Sequence, residues 1–166
     1  MNCRLAVLAG VVVTLVAAAG SGSAPALSRL NGAADWINGR VRAQDLAGYV
    51  VVVDVFTVDC SNCQNVVPTL RSLYAKDRVR GLRIVGVHSP ETPAERSRAY
   101  VEQSLSRQGI GWPVAIDDDF SLWRAFGVQA WPTELFFDRR GELRKIVVGD
   151  SQDDAVRATV ESLLGS

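Results

Sequence analysis

Histidine is nearly absent from this sequence. His88 is the only one, and cysteine occurs three times, at Cys3, Cys60 and Cys63. A tetrahedral zinc site draws four ligands from Cys, His and carboxylates, so a thiol–imidazole metal centre has little to work with. Charge of one sign is lacking too, with 18 Lys and Arg against 18 Asp and Glu. That balance removes the basic footprint by which proteins hold nucleic acid or an anionic membrane surface. Repeats are missing, and low-complexity sequence is confined to the N-terminus. What remains is ordinary: 166 residues, 48% hydrophobic and 22% charged. This is the composition of one globular domain with a sizeable core, and it argues against disorder.

The N-terminus stands apart. Arg4 gives a small positive start, and an apolar run from Leu5 to Ala19 follows, broken only by Gly10 and Thr14. Small residues from Gly20 to Ala26 come next, which completes the layout of a secretory signal peptide. Ala24-Pro25-Ala26 fits the cleavage pattern, with Ala17-Ala18-Ala19 as a second candidate. A membrane span needs about 20 apolar residues, so an uncleaved anchor is the lesser alternative. Cys3 precedes the apolar stretch, whereas lipoprotein cysteines follow it. The division expected is a signal peptide over residues 1–26 and one domain over 27–166, located outside the cytoplasm, periplasmic or secreted. Cleavage removes Cys3 and leaves a single C-x-x-C pair where disulfides persist.

Residues 27–47 read as a lead-in with one short strand around Val41. Tyr49 to Thr57 is β-branched and apolar on both faces, the mark of a central strand in a parallel sheet; Asp54 is its anomaly. Cys60 to Arg80 has the helical spacing Val66, Val67, Leu70, Leu73, Tyr74, with Pro68 inside. Leu82 to Val87 is a second buried strand, and Pro93 to Gln108 a polar helix. Pro113 to Ile116 is a short strand, and Phe120 to Phe126 a helix after three aspartates. Thr133 to Phe137 and Leu143 to Val148 form a hairpin, and Asp153 to Leu164 closes the chain as an amphipathic helix. The order predicts an α/β sheet with an antiparallel edge hairpin and helices on both faces.

Asp59-Cys60-Ser61-Asn62-Cys63 lies where the central strand ends and a helix begins. Two cysteines three apart on a first helical turn share a face and can close a disulfide. The free N–H groups and partial positive charge of the helix start stabilise a thiolate, which assigns Cys60 as nucleophile and Cys63, one turn further in, as resolving thiol. A static staple is the plainer reading, but a two-residue loop constrains the unfolded chain little. A metal site would need two more ligands. Around the pair, Glu91 reads as a solvated loop acid, His88 as structural, Asp117 to Asp119 as a helix cap, Trp36, Trp112 and Trp123 as packing residues, and Arg139-Arg140 as a solvated turn.

The stretches FTVDCSNCQNVVPTL, GVHSPETPAERS and VAIDDDFSLWRAFGVQAWPTELFFDRRGEL resemble the extracytoplasmic thioredoxin-like domains of the DipZ and TlpA type. The resemblance covers residues 36–150. It implies a thioredoxin-like fold with a central mixed β-sheet flanked by helices, the thioredoxin-like part standing alone. It also implies that Trp131-Pro132-Thr133 is a cis-proline loop beside the disulfide, with Trp131 and Thr133 binding extended substrate. Asp54, six residues before Cys60, matches the buried acid that helps deprotonate the second cysteine; alternation places it with Val50, Val52 and Phe56. Departures are Thr57 where Trp is frequent, Asp59 before the first cysteine, and Ser61-Asn62 between the two.

The expected activity is thiol–disulfide exchange on protein substrates. The resemblance favours reduction, by a monomer fed by a membrane electron donor. No dissociable cofactor is needed. Rival readings are a thiol peroxidase, since peroxiredoxins share the fold, and a copper-handling protein using Cys60, Cys63 and His88. Protein isolated from its native host should have an intact mass that begins near Leu27; a full-length cytoplasmic product would contradict the signal-peptide assignment.

Overall fold

The computed structural model describes residues 26–166, so the expected signal peptide, apart from Ala26, lies outside the described residues. A 3-10 turn, Leu27–Gly32, leads into β1 (Asp35–Ile37), and a second, Ala43–Leu46, into β2 (Val50–Phe56). Then come α1 (Ser61–Asp77), β3 (Leu82–His88), α2 (Arg98–Gln108), β4 (Val114–Ile116), α3 (Ser121–Phe126), β5 (Thr133–Phe137), β6 (Leu143–Val148) and α4 (Asp153–Leu164).

The strands form one six-stranded sheet in the order β1-β4-β3-β2-β5-β6. β2 lies parallel to β3, and β3 to β4. β5 runs antiparallel to both β2 and β6, and β1 is antiparallel to β4. The result is the mixed sheet expected, with the β5–β6 hairpin at one edge.

β2 sits inside the sheet, and all seven of its residues are buried. Val50, Val52 and Phe56 face a core shared with Val66, Leu70, Leu105 and Val160 from α1, α2 and α4. Val51, Val53 and Val55 face the second core, with Leu30, Leu46, Leu122 and Phe126. Burying each valine or phenylalanine stabilises by about 1.5–3 kcal/mol, and because the side-chain period is two, a one-residue slip would exchange the faces. The register of β2 is therefore strongly fixed, and with it the point where the chain leaves the sheet.

Three expectations are corrected. The lead-in strand is Asp35–Ile37, not a segment around Val41; Trp36 and Ile37 have core to cover, whereas Val41 lies between Arg40 and Arg42 in a loop. The helix expected over 93–108 is two pieces, a 3-10 turn at Pro93–Arg96 and α2, whose N-cap Ser97 accepts from the Tyr100 N–H. Arg139 is not merely solvated, because its guanidinium donates to the carbonyls of Leu164 and Ser166 at the end of α4. The aspartate run does cap α3: buried Asp117 accepts from the Leu122 and Trp123 N–H groups at 2.8 and 2.9 Å. Pro68 lies inside α1 without interrupting it. Among the described residues no helix is long and apolar enough to cross a membrane.

Candidate active site

β2 ends at Phe56, and residues 57–59 carry the chain to Cys60, the N-cap of the 17-residue helix α1. The Cys63 N–H donates to Cys60 Sγ at 3.3 Å, and the Gln64 N–H to the Cys60 carbonyl at 3.0 Å. A sulfur in the N-cap position thus takes the place usually filled by a Ser or Asp oxygen. Cys60 is partly exposed, whereas Cys63 is buried at 3%. Burial pushes the Cys63 thiol far up, and the hydrogen bond with Cys60 adds to this, as, to a lesser degree, do the Cys60 and Asp54 charges; the Thr57 backbone N–H pulls the other way.

A single carboxylate, Glu95, holds the connecting loop. Its Oε1 accepts from the Thr57 hydroxyl and from the Asp59 N–H at 3.1 Å. Its Oε2 accepts from the Glu91 and Thr92 N–H groups at 2.8 and 2.7 Å. Burial alone would raise the Glu95 carboxyl, but the Thr57 hydroxyl and three backbone N–H groups outweigh it and hold the group below the usual carboxylate range. The Val58 carbonyl is fixed from above by Gln64 Nε2 at 2.9 Å and Gln108 Nε2 at 3.1 Å. The Tyr100 hydroxyl donates to the Asp59 carboxylate at 2.8 Å. Seven donors from four segments therefore set where Cys60 stands.

His88 lies beneath this loop, fully buried and edge-on to Phe56, with ring centroids 5.8 Å apart. Its Nε2 is 4.0 Å from Glu95, yet burial drives its pKa down to about 4. It is a neutral core side chain. Glu91 is exposed and serves the site only through its backbone N–H. Among the described residues no three His, Cys, Asp or Glu side chains gather as metal ligands.

Asp54 is 3% exposed and lies on the face of β2 that carries Val52 and Phe56, the face that also buries Cys63. Desolvation pushes its carboxyl up to about 7. Its surroundings are not wholly apolar as alternation suggested: Glu134, also buried, stands directly across from it on β5. Burial, with the Asp54 charge behind it, pushes Glu134 up to about 9.

The Trp131–Pro132 bond is cis. Register pairs Thr133 with Val55, so Pro132 adjoins the end of β2 from which the loop to Cys60 departs. The Thr133 hydroxyl donates to the Ala130 carbonyl at 2.7 Å, and the Gly149 N–H to the Pro132 carbonyl at 2.9 Å. Trp131 and Cys60 both pack against the core that holds Cys63. The Trp131 ring meets Trp123 at 4.6 Å, and Phe120 lies edge-on at 6.4 Å. Glu95 and Glu134 escaped the reading of the sequence. Thr92-x-x-Glu95 has the capping-box spacing that could have flagged the first. Alternation through the doubly buried β5 could have flagged the second.

The AhpC/TSA family matches residues 22–146, most of the chain. The chain belongs to the AhpC/TSA family. Protein DipZ of Mycobacterium tuberculosis is 30% identical over 147 residues, covering 86% of this family member and 21% of DipZ. The chain thus spans about a fifth of that relative's length. Thiol-disulfide oxidoreductase ResA of Geobacillus thermodenitrificans is 26% identical over 122 residues, covering 74% of this chain and 67% of ResA. The solution structure of a thioredoxin-like protein in its oxidized form matches with a TM-score of 0.78 at 24% identity, covering 86% of this chain and 96% of that one. The fold is thioredoxin-like, and the likeness to DipZ read from the sequence holds.

Glu95→Ala removes an acceptor used by four donors. It should cost about 2–4 kcal/mol of stability at pH 7. A carboxyl held low in the folded state stabilises above its unfolded pKa of about 4.3 and loses that contribution as pH falls through its folded value. The difference from wild type should accordingly shrink at pH 3. Denaturant titrations at the two pH values measure it, and equal differences would show that the charge of Glu95 plays no part.

Proposed function

We propose that the protein is a thiol–disulfide oxidoreductase that acts on protein disulfides outside the cytoplasm and runs as a reductase. The observation that carries the reading is the asymmetry of the cysteine pair. Cys60 is partly exposed at the start of α1 with its sulfur accepting an N–H, and Cys63 is buried one turn on. The oxidoreductase ResA supports the same activity. The N-terminal apolar segment supports export.

Cys60, as thiolate, attacks a substrate disulfide and forms a mixed disulfide, releasing one substrate thiolate. Cys63 loses its proton and attacks Cys60 Sγ, which closes the Cys60–Cys63 disulfide and frees the second substrate thiolate. The protein gives up two electrons and the substrate gains them. Asp54, whose carboxyl titrates near neutrality, accepts the Cys63 proton. Trp131, Pro132 and Thr133 form the ledge on which the extended substrate lies beside Cys60. A membrane electron donor restores the dithiol, and the protein works as a monomer.

Insulin reduction tests the reading. Cys60→Ser should lower turnover on the order of 10³-fold or more, and Cys63→Ser should accumulate mixed disulfides through Cys60. Full turnover by Cys63→Ser would refute the assigned roles. Reduction of hydrogen peroxide without disulfide exchange would favour the peroxidase reading instead. A potential near thioredoxin's, roughly −270 mV, supports the reductase direction, and one near roughly −120 mV the reverse.

A further inference from the structure

We infer that Glu134 is a positioning residue for the resolving step: with Asp54 it forms a buried carboxyl pair that holds one proton between the two groups, and this pair, not Asp54 alone, is the acid–base unit that serves Cys63. The inference rests on the proposed disulfide exchange.

The sheet dictates the juxtaposition. Antiparallel register puts Asp54 directly opposite Glu134. Residues so paired project to the same face with Cβ atoms about 4.5–5.5 Å apart. Both side chains are buried, and neither Glu134 oxygen has a hydrogen-bond partner among the described residues.

The third strand offers no relief. Asp54's partner on β3 is Gly86, where a Cβ would lie 3.0 Å from both Phe56 and Val114. A charged side chain at position 86 is thus excluded, and His88, two residues on along the same face, is neutral. On β6, Val147 lies across from Glu134, and Lys145 is exposed one step along the same face. From α4, Asp153 adds negative charge near Glu134, and Arg157 is turned to the Thr69 hydroxyl at 3.0 Å. From α1 the facing titratable group is Cys63 itself.

Two carboxylates in such a place cannot both ionise, because burial and mutual repulsion act together. Sharing one proton resolves this. The protonated acid donates to the carboxylate, a charge-assisted bond that supplies each group with a partner. Such a pair titrates in two separated steps, in keeping with the raised values of both groups. Between those steps it carries one negative charge.

In the mixed disulfide this mono-anion takes the proton of the Cys63 thiol and becomes neutral. The Cys63 thiolate attacks Cys60 Sγ, the Cys60–Cys63 bond forms, and the bond from Cys60 to substrate breaks. The substrate sulfur leaves as a thiolate and is protonated by solvent, to which the pair returns its proton. Glu134 touches neither sulfur in this scheme; it acts by donating to Asp54 and keeping that carboxylate ionisable near neutrality.

Replacing Glu134 separates the alternatives. Glu134→Leu removes the donor and leaves Asp54 alone among apolar groups. The ionisation that governs release from a preformed Cys60 mixed disulfide should move up by about one pH unit, slowing release about fivefold at pH 7. Glu134→Gln keeps an N–H donor and should restore most of that loss, which a purely structural role would not predict. If Glu134→Leu leaves the pH profile in place, or moves it down and speeds release, the shared proton is refuted. It is equally refuted if Gln is no better than Leu.

A second readout needs no activity. A folded state that retains protons its unfolded chain would give up loses stability as pH rises from about 4 to about 9. Glu134→Leu should flatten that fall. Were wild type inactive in disulfide exchange, the proposed function would fail, and this stability profile would still decide the pair: an unchanged slope overturns it.

Discussion

Burial of β2 on both faces is the constraint on which the rest depends. None of its seven residues is exposed, so its register against β3 and β5 cannot drift without turning one core inside out. The end of that strand fixes where the loop to Cys60 begins. Its neighbours fix what stands beside it: the His88 end of β3, the cis Trp131–Pro132 bond at the head of β5, and the start of α1. The Cys60 sulfur is thus placed by core packing together with the hydrogen bonds that hold the loop before it.

Acidic groups crowd this end of the sheet, and the fold handles them in two ways. Glu95 is kept ionised by the donors that surround it, at the cost of immobilising the loop. That immobility is useful, since it sets Cys60. Asp54 and Glu134 have no such donors and hold protons instead. One carboxylate fixes geometry, and two carboxyls keep their protons to neutrality and above. Their difference is not in residue type but in whether backbone N–H groups converge on them. His88, buried and neutral beside Glu95, adds no charge to either arrangement.

Much of this was legible beforehand. The β-branched run of β2, the helical spacing of α1, the β5–β6 hairpin and α4 carry strong periodic signals, and the strand–CxxC–helix order announces the site. β1 was misplaced because three edge residues carry almost no pattern. The break at Ser97 was missed because Pro93 offers an equally good helix start. Among the acids, Glu91 is exposed, as its loop position suggests, and the buried carboxylate is Glu95, four residues on, where only the tertiary fold brings Thr57 and Asp59 to it. Asp54 was identified as anomalous from its own strand. Glu134 was not, since its significance comes from the strand opposite.

The central claim is that Cys60 and Cys63, though three residues apart, are chemically unequal because one lies at the helix start within reach of solvent and the other is buried among apolar groups and acids. Alkylation of the reduced protein, with the rate at each cysteine resolved by mass spectrometry from about pH 5 to pH 9, measures this directly. Cys60 should react at least about 100-fold faster than Cys63 across that range. Comparable rates at the two sulfurs, or faster modification of Cys63, would contradict the account.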